Sequence, residues 1–294
     1  MKHRLKVAGI AVMLITLLLL AETALTAAAL SSERPKIGLA LGGGSAGGFA
    51  HIGVLKWLEE NHIPVDCIAG TSMGGLMGGI YAMGMSPDQM ELLVANLDWD
   101  QLFDSEPAFN TLEFRRKEEL LNYPTGVNFG LKDKLLVTNG LSVYRVNLLL
   151  SRLALPYSNI RNFNELPIPF ACVATDLRNS EKVVLSEGAL CEALRATMSI
   201  PGAFVPVEQN GRLLVDGGLV DNVPADVVKK MGADVVIAVS CNKSNIHRDM
   251  RRLDSILVGS MTTIIADNTS RSLPLADIVL HSQPGNLANS NWQA

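Results

Sequence analysis

The chain is short of several things that would point to familiar functions. Charged residues make up 18% of its 294 positions and aromatics 5%, and 25 Lys and Arg face 29 Asp and Glu. No basic cluster interleaved with aromatics occurs, so a nucleic-acid-binding surface is excluded. There is no internal repeat and, beyond the N-terminus, no low-complexity tract, which leaves an ordinary globular domain. Cysteine is scarce, with four in all. Cys67, Cys172 and Cys241 fall in or at the end of apolar, strand-like runs, and Cys191 lies in a helical pattern. Four mostly buried free thiols are therefore expected rather than a disulfide framework, in a domain large enough to stand without staples.

Apolar residues are plentiful, at 48% of the chain, and the mean hydropathy is +0.24. The N-terminus accounts for part of this. Lys2, Arg4 and Lys6 precede an apolar run over 7–21, and Ala27, Ala28 and Ala29 offer a small-residue exit before Leu30. That order is the signature of a secretory signal peptide. The run is shorter than the roughly 20 residues a spanning helix needs; reading on through Leu30 leaves an uncleaved anchor as the alternative. No cysteine lies nearby for lipid attachment. The expected organisation is a leader over 1–29, a linker over 30–35 and one domain over 36–294. Removing the leader takes three basic residues and Glu22, leaving a net charge of −6.

Within the domain, short apolar strands are expected at 36–41, 65–69, 169–174, 182–185, 212–215, 234–240 and 277–281. Helices are expected at 48–61, 72–83, 87–97, 142–155, 190–198, 225–231 and 253–270. Residues 98–167 are the least regular, with Arg115, Arg116 and Lys117 and a glycine-rich turn over 123–130. Strands alternating with helices, each strand an almost continuous apolar run, predict an α/β fold with a mostly parallel sheet covered on both faces. Ligand sites in such sheets lie beyond the C-terminal strand ends.

Three glycine-marked motifs occupy that position. Gly70-Thr71-Ser72-Met73-Gly74 follows a strand and opens a helix, the context of a nucleophile elbow. A helix cap at Thr71 or Ser72 is the plainer reading. Residues 42–48 (GGGSAGG) also contain G-x-G-x-x-G, the dinucleotide fingerprint. That use requires an acid near residue 70, where the serine elbow stands instead, so the glycines read better as backbone donors for an acyl oxyanion. Asp216, before Gly217 and Gly218, is either a positioned carboxylate or part of a surface Asp-Gly turn. His281 sits where a Ser, Asp, His order would put a triad base, but a Ser72 and Asp216 pair is preferred. His51, one turn into the first helix, packs or hydrogen-bonds the loop; His62 and His247 are solvated.

Four passages together resemble bacterial patatin-like phospholipases: 37–55 (IGLALGGGSAGGFAHIGVL), 70–74, 199–207 (SIPGAFVPV) and 211–224 (GRLLVDGGLVDNVP). The likeness covers about residues 36–285. It implies a three-layer α/β/α fold and a lipid acyl hydrolase needing no metal or other cofactor. Ser72 would be the nucleophile and Asp216 its proton acceptor. Amides of Gly42, Gly43, Gly44, Ser45 and Met73 would form the oxyanion hole, and Gly70 and Gly74 the elbow glycines. It also implies a lipid or phospholipid substrate met at a membrane surface, peripherally, and with the leader an exported protein of the periplasm or cell envelope of a bacterium, with secretion or membrane anchoring as the alternatives. One departure is Gly47, where the family's loop usually carries a basic residue. Residues 115–131 also resemble a subgroup whose longer chains continue into an outer-membrane barrel. A non-catalytic envelope protein that binds lipid on the same fold remains the alternative.

Overall fold

The computed structural model describes residues 34–99, 102, 129–132, 134–137, 143–241 and 253–282. The expected leader, most of the linker, the Arg115–Lys117 cluster and His247 lie outside those residues. From residue 36 onward, β1 (Ile37–Leu41) leads through a 3-10 turn (Ser45–Phe49) into α1 (Ala50–Glu60). β2 (Cys67–Thr71) runs directly into α2 (Met73–Ala82), and α3 (Pro87–Asn96) follows. A separate hairpin, β3 (Phe129–Lys132) and β4 (Lys134–Val137), precedes α4 (Val143–Ala154). Next come β5 (Phe170–Asp176), β6 (Glu181–Leu185), α5 (Leu190–Thr197), β7 (Val207–Gln209) and β8 (Arg212–Asp216). The last elements are α6 (Ala225–Lys230), β9 (Val235–Ser240), α7 (Leu253–Ser272) and β10 (Ile278–His281).

Eight strands form one sheet in the order β10-β9-β1-β2-β5-β8-β7, with β6 also on β5. Pairing is parallel from β10 to β5 and antiparallel where β6, β8 and β7 join. Alternation along the strands sends side chains to two cores. Leu39, Leu41 and Ile68 enter the larger one, with Leu55 of α1, Met77 and Ile80 of α2 and Leu194 of α5. Ala40, Ala69, Ala171 and Ala238 form a flat layer on the opposite face, where Val227 and Val228 of α6 pack. Helices thus cover both faces, and the three-layer α/β/α arrangement is the fold.

The register at β5 positions the site. β2 pairs with residues 170–173 of β5, ending at Thr71 opposite Val173. β6 pairs with residues 172–176, so it takes the other edge. β8 pairs with residues 174–176 and therefore shares the edge used by β2, running the opposite way and ending with Asp216 opposite Ala174. The C-terminal ends of β2 and β8 meet head to head on a single strand.

Local signals explain most element ends. Ser86 caps α3 in a full capping box: its hydroxyl accepts from the Gln89 amide and the Gln89 side chain accepts from the Ser86 amide. The β7–β8 hairpin turns at Asn210 and Gly211, with φ of 50° and 75°, as a two-residue turn with both φ positive requires. α2 is buried along its whole length. It is pressed onto β1 so closely that a Cβ at Gly74 would lie 2.2 Å from the Leu41 carbonyl oxygen. Gly53 on α1 meets nothing within 4 Å. Gly74→Ala is accordingly expected to cost more than about 3 kcal/mol or to prevent folding. Gly53→Ala should gain about 0.5–1 kcal/mol; denaturant melts of the two variants check both signs.

Candidate active site

Ser72 stands between β2 and α2 with φ 53° and ψ −124°, a conformation that L residues seldom adopt. Gly70 permits it, since a Cβ there would lie 2.4 Å from the Gly74 carbonyl oxygen. The Ser72 amide donates to Thr197 Oγ1 (2.9 Å), and that hydroxyl donates to the Val173 carbonyl (2.6 Å). The Ser72 side chain makes no capping hydrogen bond to α2, and the Thr71 hydroxyl donates instead to the Asp221 carbonyl (2.9 Å). The cap reading of Thr71 and Ser72 therefore does not describe this turn.

Asp216 is 6% exposed, which sets aside the surface-turn reading. Its Oδ1 accepts the Gly218 amide (2.8 Å), and its own amide donates to the Ser199 carbonyl (2.9 Å). Burial raises the carboxyl pKa to about 6, against the opposing pull of hydrogen bonds from the Ser72 hydroxyl and the Gly218 amide. Ser72 and Asp216 face a cavity of about 140 Å³, lined also by Gly43, Gly44 and Ser45 and, from α7, by Val258, Met261, Thr262 and Ile265.

The glycine loop divides its labour. The Gly42 amide donates to the Val239 carbonyl (2.9 Å), so Gly42 continues the sheet and is not a donor to the cavity, contrary to its expected place in the oxyanion set. The Gly43 amide makes a long bond to the Asn222 carbonyl (3.3 Å). The amides of Gly44, Ser45 and Met73 have no acceptor among the described residues.

A model of the patatin-like phospholipase family matches residues 39–229, more than half of the chain, including the glycine loop, Ser72 and Asp216. The chain belongs to the patatin-like phospholipase family. A patatin-like phospholipase domain-containing protein of Caenorhabditis elegans is 37% identical over 206 residues, covering 69% of this chain and 13% of the nematode protein. An uncharacterized NTE family protein of Mycobacterium bovis is 33% identical over 213 residues, covering 72% of this chain and 51% of the relative. The chain thus spans about half or less of the curated relatives it matches. Among solved structures, VipD from Legionella pneumophila aligns with a TM-score of 0.45 at 17% identity, over 77% of this chain and 53% of that one.

In this patatin-like domain His281 lies away from the cavity. It ends β10, is exposed, and is separated from β2 by β9 and β1, about 14 Å at ordinary strand spacing. The loop around Asp216 is held from three sides. Asn268 Nδ2 donates to the Gly218 carbonyl (2.7 Å) and Asn268 Oδ1 accepts the Asn222 amide (3.0 Å). Lys182 bridges Asp221 (2.9 Å) and Asp226 (2.8 Å), while Ser272 donates to Asp221 (2.9 Å). Thr197 and Asn268 carry no signature readable in the sequence. Thr197 and Ser199 together grip both Ser72 and Asp216 through their backbones.

His51 does what its helical position allows. It is fully buried, and its Nε2 donates to the Gly42 carbonyl (2.7 Å), which fixes the tautomer; Cys241 Sγ lies beside the ring at 3.6–3.9 Å. Burial lowers its pKa to about 4, outweighing the carbonyl contact, so the ring stays neutral at physiological pH. Among the described residues no group of three or more His, Cys, Asp or Glu gathers as metal ligands. By holding the Gly42 carbonyl, His51 fixes the Gly42–Gly43 peptide, whose N–H bonds the Asn222 carbonyl, and so sets the course of the loop that carries the Gly44 and Ser45 amides. His51→Phe should lower kcat about tenfold or more with little change in KM, and His51→Gln, which restores an N–H donor, should recover part of the loss. Because the ring is neutral, neither variant should move the midpoint of the pH–rate profile.

Proposed function

We propose that this chain is a serine acyl hydrolase that cleaves carboxyl esters of lipids or phospholipids through a Ser72 and Asp216 dyad. The observation that carries this reading is that Ser72 and the buried Asp216 carboxyl face one cavity, edged by Gly44 and Ser45, whose amides have no acceptor among the described residues. Asp216 takes the Ser72 proton as Oγ attacks the ester carbonyl, and the tetrahedral oxyanion is met by the Gly44, Ser45 and Met73 amides. Asp216 returns the proton to the departing alcohol or lysolipid. Water, deprotonated by the same carboxylate, then releases the fatty acid from the acyl-enzyme. A pKa near 6 suits both halves of the cycle, since a base is most effective when its pKa lies close to the working pH. The basic N-terminus and apolar run support an exported location, in the cell envelope or beyond it, with peripheral contact to membrane.

A fluorophosphonate should label the purified protein, and Ser72→Ala should abolish both labelling and ester hydrolysis. A folded protein that takes no label would favour the lipid-binding alternative. For the wild type, kcat/KM should rise with pH through a midpoint near 6 and then level off, because the ionised carboxylate is the active form. Asp216→Asn should lower hydrolysis by at least about a thousandfold. The same variant tests the linkage. A folded-state pKa raised above 3.8 means that stability is lost as pH climbs from about 4 through 6. Removing the carboxylate should therefore raise the unfolding free energy, read by denaturant melts, more at pH 8 than at pH 4, by a difference on the order of 1–3 kcal/mol.

A further inference from the structure

α7 has two working faces. Inward, Val258, Met261, Thr262 and Ile265 line the cavity over Ser72. Its C-terminal half is fastened to the Asp216 loop, through Asn268 to the Gly218 carbonyl and through Thr269 Oγ1, which accepts from Asn222 Nδ2 (3.1 Å). Outward, its N-terminal turns are apolar where a solvent-facing helix would be charged. Ile256 is 45% exposed, Leu257 57% and Ile264 49%. Residues 255–266 contain no charged side chain at all. The first exposed charges, Asp267 and Arg271, pair with each other one turn later (2.5 Å).

The hydroxyls on this stretch bond to their own helix. Ser260, Thr262 and Thr263 donate to the carbonyls of Ile256, Val258 and Gly259, four residues back, at 2.9, 2.8 and 2.9 Å. Satisfied within the helix, they cost little to move into an apolar medium. No helix among the described residues is long and apolar enough to cross a membrane.

We propose that the outward face of α7 over residues 256–264 docks on a lipid surface, so that the roof of the cavity is also the membrane contact. This inference rests on the lipid-ester reading of the site. It commits to lipid because the same helix walls the cavity, and a lipid surface is the occupant that also delivers substrate there. A protein covering this face would close it to lipid. The face carries no charge, so docking should depend on apolar burial and not on anionic headgroups.

The test uses the full chain carrying Ser72→Ala, so that hydrolysis cannot alter the vesicles, and Cys191→Ser, because Cys191 is half-buried while the other three thiols are buried. An environment-sensitive fluorophore is placed at Leu257→Cys or Ile264→Cys, and at Glu60→Cys on α1 as a control. Vesicles of phosphatidylcholine, alone or mixed with phosphatidylglycerol, should shift the emission at 257 and 264 to the blue but not at 60. The shift should survive about 0.5 M salt. Leu257→Glu with Ile264→Glu should weaken partitioning by about tenfold or more. The proposal is overturned if the labels at 257 and 264 stay unshifted while the chain floats with vesicles, since the N-terminal apolar run would then be the contact. It is equally overturned if their emission is already blue without lipid, which assigns the face to a second copy or to another part of this chain. Fluorophosphonate labelling of the Ser72 protein reads the catalytic assignment separately, so the two can fail independently.

Discussion

Everything at this site depends on the register of one strand. β5 offers a single edge to two partners, and β2 arriving from one side and β8 from the other stop at adjacent positions, Val173 and Ala174. Ser72 follows the last residue of β2, and Asp216 is the last residue of β8. Their separation is therefore set by the backbone repeat of a fully buried strand, which cannot slide by one residue without moving every apolar side chain to the wrong face. The segment of Thr197 and Ser199 reinforces the junction by bonding to both residues.

Around that junction the packing is close because the residues are small. Alanines line one face of the sheet, and glycines let α2 approach β1. A tight, inflexible wall makes it feasible to hold Ser72 at positive φ and to bury a carboxylate that has no cationic partner among the described residues. Both features are costly, of order 1–3 kcal/mol for the backbone alone. The raised pKa of Asp216 is the electrostatic record of the second cost. What it yields is a carboxyl group with a pKa near 6 facing the same cavity as Ser72. α7 closes the remaining side, rigid where it is bonded to the Asp216 loop and apolar where it faces outward.

Much of this was legible from local chemistry. Strand and helix alternation, the elbow at Gly70–Gly74 and the Ser86 cap each rest on nearby residues, and the structure has all of them. Shorter signals are weaker: Val207–Gln209 is only three residues long, although the Asn210 and Gly211 pair that ends it is a strong hairpin turn. β2 begins two residues later than its apolar run suggests, because its pairing starts at Gly38 opposite Cys67. The antiparallel half of the sheet could not be read, since an apolar strand looks the same whichever way it runs.

The sequence by itself determined the chemistry available: a serine in a glycine elbow, a carboxylate before two glycines, a loop rich in backbone donors, and the family to which these belong. Which of them meet at one cavity is set by the fold. It joined Ser72 to Asp216 across 144 positions of chain, removed Gly42 from the donors by giving its amide to β9, and set His281 three strands away. It also brought Thr197 and Asn268 to the site, where nothing in their neighbourhoods announced them. The reason is physical. Elbows, caps and turns are settled by residues within a few positions of one another, whereas strand order and register are settled by how two cores fill on either side of the sheet.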